Sequence, residues 1–367
     1  MQRFFLLLVA ATALAQSAPQ TFPAHTTESL RGVSAISRQT AWASGTHGTY
    51  LRTTDGRIWI PDQVPGAESL DFRAVVAFSA DEAFLMSAGP GDQSRIYHTA
   101  DRGRHWQLQL TNKNPKGFFD SMVFWDPTHG ILLGDPIPDE SGKLKFELLM
   151  TTDGQTWTHI PPAQLPPAAE GEGAFAASNT CLAVLPNKIV IPSEARPEGN
   201  IWFATGGKTA RVFHSPDRGQ TWQVFDTPIQ HGPDSAGIFS IAFRDPLHGV
   251  IAGGDYKHPD QDGPNLAFTN DAGKTWTLSK ITPQSYYSAV AYDRKHKNPK
   301  ANTLDENQAN VRLFIAGPNF IYDFRPPKDP TRISPNKKSG MQFNAVSPYP
   351  EGGALAVGPK GTIATIP

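Results

Sequence analysis

Thr269-Asn270-Asp271-Ala272-Gly273-Lys274-Thr275-Trp276 decides the fold, because it recurs. Ser215-Pro216-Asp217-Arg218-Gly219-Gln220-Thr221-Trp222 and Thr99-Ala100-Asp101-Arg102-Gly103-Arg104-His105-Trp106 are copies of the same length. Thr151-Thr152-Asp153-Gly154-Gln155-Thr156-Trp157 and Thr53-Thr54-Asp55-Gly56-Arg57-Ile58-Trp59 are one residue shorter. The shared pattern, Ser/Thr-x-Asp-(x)-Gly-x-x-Trp, suits a tight turn between two strands. The carboxylate can accept hydrogen bonds from backbone N–H groups of its own turn, the glycine can take a positive φ, and the tryptophan has the area to fill a gap between repeating units.

The aspartates at 55, 101, 153, 217 and 271 are spaced 46, 52, 64 and 54 residues apart. Such a period fits four short strands and their loops, one blade of a propeller. Two further markers recur seven times each. A strand ending in Gly closes at Gly45, Gly89, Gly134, Gly206, Gly253, Gly317 and Gly358; an earlier strand opens at Leu30, Phe72, Phe119, Phe175, Phe239, Tyr287 and Phe343. The sequence therefore predicts an all-β, seven-bladed propeller of four-stranded antiparallel blades. The last unit, from Met341 to Pro367, has room for three strands, so residues near Gln20–Thr27 are expected to supply the fourth and close the ring. Phe124-Trp125-Asp126-Pro127-Thr128-His129-Gly130-Ile131 and Phe243-Arg244-Asp245-Pro246-Leu247-His248-Gly249-Val250 are a further repeated pair, in which His129 and His248 belong to hairpin turns and fit no metal spacing.

The chain of 367 residues carries 33 Lys+Arg against 34 Asp+Glu, a balance that gives nucleic acid no electrostatic reason to bind and allows at most peripheral membrane association. Met1-Gln2-Arg3, an apolar run from Phe4 to Ala10, and Ala13-Leu14-Ala15 form the pattern of a secretory leader over 1–15, leaving 16–367 as one exported domain, periplasmic or extracellular and expected to be a monomer. The single cysteine, Cys181, lies in an apolar run and is expected to be a buried structural thiol. There is no Gly-x-Gly-x-x-Gly turn and no Gly-x-Ser-x-Gly elbow, so the sequence calls for no cofactor and assigns no catalytic residue.

Chemistry is expected where the inner strands meet the channel. The residues after each opening marker are Arg31, Arg73, Asp120, Ala176, Ser240, Ser288 and Asn344. Loops after the second strands add His47, Asp92, Asp135, Lys208 with Arg211, Asp255 with Tyr256, and Asn319, while Glu172 lies on a Pro-rich connection. Longer excursions run over Tyr256 to Gly263 and Lys295 to Val311. Arg31, Arg73 and Arg211 could receive carboxylates, or could pair with Asp120, Asp135, Glu172 and Asp255. The same carboxylates could serve a glycoside hydrolase, and Tyr256 or Tyr286 a lectin-like glycan site.

The five turns resemble the Asp-box (BNR) repeat of sialidase-type β-propellers, which implies that Asp55, Trp59, Asp101, Trp106, Asp153, Trp157, Asp217, Trp222, Asp271 and Trp276 are structural and lie on the rim. The Arg-Ile-Pro signature of sialidases is absent. Gly171–Ser178, Thr205-Gly206-Gly207 with Ala210-Arg211-Val212, Ala236–Phe243 and Gly253-Gly254-Asp255-Tyr256 resemble bacterial exported relatives of the photosystem II stability and assembly factor. That resemblance implies a non-enzymatic scaffold, with an arginine patch that binds a protein partner.

Overall fold

The computed structural model describes residues 19–185, 199–280, 285–295, 311–318, 320–324 and 341–367. The leader expected over 1–15, Asn319 and most of the Lys295–Val311 excursion lie outside them. The described residues form seven antiparallel sheets arranged as a seven-bladed propeller, and they include two short 3₁₀ turns, Gly91–Gln93 and Pro162–Gln164. None of their helices is long and apolar enough to cross a membrane.

Blade 1 comprises Leu30–Ala35, Ala41–Gly45, Thr49–Thr53 and Ile60–Gln63, innermost strand first, and blade 2 comprises Phe72–Ala77, Ala83–Ser87, Arg95–Thr99 and Gln107–Thr111. Blade 3 has Phe119–Asp126, His129–Pro138, Leu144–Thr151 and Thr158–His159; blade 4 has Leu182–Val184, Ile201–Ala204, Arg211–Ser215 and Gln223–Asp226. Blade 5 has Ala236–Phe243, Gly249–Asp255, Leu266–Thr269 and Thr277–Leu278. Blade 6 shows Ala289–Tyr292, Leu313–Gly317 and Phe320–Phe324 among the described residues. Blade 7 combines Ala345–Pro348, Ala354–Gly358 and Thr362–Ile366 with Gln20–Thr21, which pairs Gln20 with Thr365 and Thr21 with Ala364. The ring is closed as the sequence predicts.

Second strands such as Ala83–Ser87 and Ala354–Gly358 are buried at every residue, because both faces of a blade pack on neighbouring blades. Alternation then assigns each side chain to one interface. In blade 1, Trp42 and Tyr50 face blade 2, whereas Ala41, Ala43 and Leu51 face blade 7. A separate apolar core fills each of the seven blade interfaces. Each tryptophan of the repeated turn packs into the interface with the preceding blade: Trp59 against blade 7, Trp106 against blade 1, Trp157 against blade 2, Trp222 against blade 3 and Trp276 against blade 4.

The turns share one hydrogen-bond pattern. In the Ser215–Trp222 copy, the Gly219 N–H donates to Ser215 Oγ at 2.7 Å, and the Thr221 N–H and Oγ1 donate to the Asp217 carboxylate at 2.8 and 2.6 Å. The glycine has a positive φ in all five, and the extra residue of the longer copies, Arg102, Arg218 or Ala272, has one too. One residue is thus added without changing where the tryptophan lands. Burial works to raise the Asp217 pKa, but the bonds from Thr221 outweigh it and hold the carboxyl below its ordinary value. Asp217→Ala is expected to cost about 1–2 kcal/mol at pH 7. A depressed carboxyl stabilises only while ionised, so the gap between wild type and variant in thermal melts should close as pH falls below about 4. A gap that persists at pH 2 would contradict this account.

The glycine marker also has a physical cause. A Cβ on Gly45, Gly134, Gly253, Gly317 or Gly358 would lie 1.9–2.8 Å from the carbonyl oxygen of Ser29, Phe118, Gly237, Tyr286 or Gln342, where the inner strand enters. The two backbones approach too closely for any side chain.

Blade 4 departs from expectation. Its inner strand is Leu182–Val184, and Phe175-Ala176-Ala177-Ser178, which carries the same marker as the other inner strands, is not a strand. Phe175 instead stacks on Phe239 of blade 5, with ring centroids 3.9 Å apart and planes at 11°. The stretch just before it, Glu172–Gly173, pairs with Gly206–Gly207, and Gly206 pairs in turn with Gly237 of blade 5.

Candidate functional site

A β-bulge interrupts four inner strands near their start, between Leu30 and Gly32, Phe72 and Ala74, Phe119 and Ser121, and Ile238 and Ser240. The residues left out of the pairing are Arg31, Arg73, Asp120 and Phe239. A bulge re-aims its side chain, and here the result is convergence on the channel. Arg73 donates from Nε to Asp71 Oδ2 at 2.8 Å and from Nη1 to the Ala176 carbonyl at 3.0 Å, reaching past blade 3. Arg31 lies close enough to Arg73, Asp71 and Tyr286 for each to affect its charge, although Tyr286 enters blade 6 on the far side of blade 7.

The electrostatics are uneven. Arg31 Nε is buried with no protein acceptor, and burial followed by the neighbouring Arg73 lowers its pKa. Asp120 is 1% exposed and neither carboxylate oxygen has a protein donor. Burial, then the like charge of Asp135, pushes its pKa well above the ordinary value against the opposing pull of Arg73. Asp135 accepts the Ala174 N–H at 2.9 Å, yet burial still raises it to about 6. Cys181 is a buried free thiol, raised by burial and then by Asp120, and so unsuited to nucleophilic work.

The segment from Ala174 to Asn179 is drawn into the same space. Besides the Arg73 bond, Ser178 Oγ donates to the Ser288 carbonyl of blade 6 at 2.8 Å, and Asn179 exchanges hydrogen bonds with the Met122 backbone of blade 3. Its aromatic side completes a wall. Phe175 stacks on Phe239, Tyr286 meets Phe239 edge-on at 4.8 Å, and Tyr256, 49% exposed, meets it at 6.1 Å.

The other residues singled out from sequence are placed elsewhere. Arg211 starts the third strand of blade 4 and forms a two-pronged ion pair with Glu172, whose carboxylate also accepts from Thr205 Oγ1 and the Ala169 N–H. Asp255 is buried and bound to the Lys257 N–H and to His258 Nδ1. Ser240 Oγ accepts the Val290 N–H, Ser288 Oγ donates to the Ala316 and Phe343 carbonyls, and Asn344 Nδ2 donates to the Leu30 carbonyl, so these three link neighbouring blades. His129 and His248 contact Asp126 and Asp245 of their own turns. His47 Nδ1 lies 2.7 Å from Glu28, and Ala176 contributes its carbonyl to Arg73. The described residues hold no cluster able to ligate a metal. Asp71 and Phe239 belong to the convergent group although the sequence marked Phe239 only as a strand opener and Asp71 not at all. The acidic residue two positions before Arg73 was the available signal for Asp71.

No sequence-family model matches the chain, and no curated protein matches it. Solved structures do. The GH74 xyloglucanase from Xanthomonas campestris is 17% identical with a TM-score of 0.56, the match covering 95% of this chain and 53% of that one. The WD40 β-propeller domain of Doa1 is 11% identical with a TM-score of 0.55, covering 94% of each. YCF48 bound to D1 peptide is 16% identical with a TM-score of 0.42, covering 96% and 98%. At these identities the likeness concerns the fold alone.

Proposed function

We propose that this protein is an exported, non-enzymatic binding scaffold, a single propeller once its leader is removed, whose channel mouth receives a carboxylate-bearing segment of a protein partner. One observation carries the reading. Arg31 and Arg73 sit on the bulges of adjacent blades with one carboxylate, Asp71, ion-paired to Arg73, and the buried Arg31 Nε has no acceptor within the protein. A partly buried guanidinium whose Nε has no acceptor within the protein leaves its charge poorly compensated, and an incoming carboxylate would supply the missing counter-charge. The aromatic wall beside it offers apolar area for the flanking residues of the guest.

The test is capture by crosslinking from the native envelope, followed by titration of the captured segment against wild type and the Arg31→Ala/Arg73→Ala variant. Affinity is expected to fall at least tenfold in the variant, compared with wild type once circular dichroism shows that the variant is folded, because Arg73 also holds Asp71 and the Ala176 carbonyl. Equal affinity in a folded variant would refute the proposal. Arg211→Ala serves as the contrast. Because that guanidinium is engaged by Glu172, its loss is expected to lower stability rather than to act on binding alone.

A further inference from the structure

Among the described residues the large apolar or aromatic side chains that stand exposed are Ile58, Ile60, Leu108, Leu247, Leu278 and Tyr256. Ile60, Leu108 and Leu278 lie on outer strands, and Ile58 and Leu247 on turns at the strand ends opposite the channel arginines. Tyr256 is different. It follows the second strand of blade 5, whose last residue, Asp255, pairs with Ala236 at the start of the inner strand, the end of the blade at which Arg31 and Arg73 enter theirs.

The loop that carries Tyr256 is fixed from several sides. The buried Asp255 carboxylate accepts the Lys257 N–H at 2.9 Å and contacts His258 Nδ1 at 2.8 Å. The Tyr256 N–H donates to the Ser235 carbonyl at 3.2 Å, and the Pro259 carbonyl accepts the Tyr286 N–H at 3.0 Å. A Cβ on Gly254 would meet the Tyr286 Cα at 3.0 Å, so the second strand of blade 5 runs hard against the entry to blade 6. The Tyr256 ring is thereby set edge-on to Phe239, which in turn meets Tyr286, the neighbour of Arg31. Phe239 and Tyr286 are buried and back the site, whereas Tyr256 offers open surface to a guest. A half-exposed tyrosine on a fixed loop supplies contact area at little entropic cost, the property of an interface anchor.

We propose, on the basis of the arginine reading above, that Tyr256 determines the specificity of the channel mouth by seating an aromatic side chain of the partner segment whose carboxylate the arginines receive. The succession Arg73, Arg31, Tyr286, Phe239 and Tyr256 is cationic at one end and aromatic at the other. A segment lying along it needs an acidic residue and an aromatic one. Charge alone accepts any acidic segment; the ring selects among them.

The probes are end-blocked peptides carrying two aspartates, a spacer of up to three glycines and one phenylalanine, with counterparts that have serine in place of the phenylalanine. At the best spacing wild type is expected to bind the phenylalanine peptide about tenfold more tightly than its counterpart. In Tyr256→Ala, checked for folding by circular dichroism, the ratio is expected to fall below about twofold, and Tyr256→Phe, which keeps the ring, is expected to retain it. No phenylalanine preference in wild type at any spacing, or a preference that persists in folded Tyr256→Ala, overturns the anchor. Serine peptides bound by wild type and lost in Arg31→Ala/Arg73→Ala then leave the arginine site standing. A preference lost in Tyr256→Ala but indifferent to the arginine variant sustains the ring and refutes the arginines. Cellohexaose binding that Tyr256→Ala abolishes, without a phenylalanine preference, assigns the ring to a glycan and overturns the proposal. Failure of wild type to bind any of the peptides overturns both readings.

Discussion

Arg312→Met is expected to destabilise the propeller by about 3–5 kcal/mol, the cost of leaving buried carboxylates without their cation. Arg312 donates from Nε and Nη2 to the two oxygens of Asp323 at 2.7 and 2.6 Å, and from Nη1 to Asp293 at 3.2 Å. All three side chains are nearly inaccessible, the Asp293 carboxylate completely so. The guanidinium also lies 4.6 Å from the Phe314 ring centroid and reaches the Pro367 main-chain oxygen, so the triad ties blade 6 to blade 7. Methionine keeps much of the volume and apolar contact, which confines the loss to charge and hydrogen bonding. Urea unfolding at pH 7 measures it, and adding Asp293→Asn and Asp323→Asn to the variant should restore more than half. A loss below 1 kcal/mol would show that water compensates the carboxylates, contrary to their burial.

Gly253→Ala is expected to be of similar size, about 3 kcal/mol or more, for a steric reason. Its Cβ would fall 1.9 Å from the Gly237 carbonyl oxygen. That carbonyl has nowhere to retreat, since Gly237 already packs against the Gly206 backbone of blade 4, where a Cβ would meet the Gly206 Cα at 2.3 Å. Relief requires blades 4 and 5 to separate locally, with loss of the apolar core between Trp202, Ile238 and Ile251. Chemical denaturation would register the change, with circular dichroism checking that the variant keeps its strands. A cost under 1 kcal/mol would mean that the inner strand can shift without disturbing its neighbours.

The second of these sites shows what the sequence made legible. The terminal glycine is visible because its cause is local and repeated: the backbone approach forbids a side chain in blade after blade, so the residue type itself recurs. Arg31, Arg73 and Asp120 were legible for a related reason, each following the apolar residue that opens an inner strand. That the pairing skips them was not visible, because a bulge is a property of two strands together. Phe175 shows the limit. Its Phe-Ala-Ala-Ser context matches the other inner strands, yet stacking on Phe239 and the glycine contact between blades 4 and 5 pull it into the channel, and Leu182–Val184 takes its place. For Arg211 the sequence left two roles open, a channel arginine or the partner of a carboxylate such as Glu172, and the structure shows the pair.

The Asp135 carboxyl acts on stability in the sense opposite to Asp217. A buried acid whose pKa is raised favours the folded state less as it ionises, so its contribution declines between about pH 4 and pH 6. Asp217 and Asp135 thus pull the acid limb of the stability profile in opposite directions.

The pairing of Gln20 with Thr365 joins segments from opposite ends of the described chain. A polypeptide delivered from its N-terminal side presents Gln20–Thr21 first, yet that strand has no partner until Thr362–Ile366 has followed. Until then a growing arc of blades exposes an apolar sheet face at each end, the condition under which association between molecules competes with correct assembly. Closure is therefore a clock as well as a clasp: an escort that shields the open arc has work to do until the last strand arrives, and none afterwards.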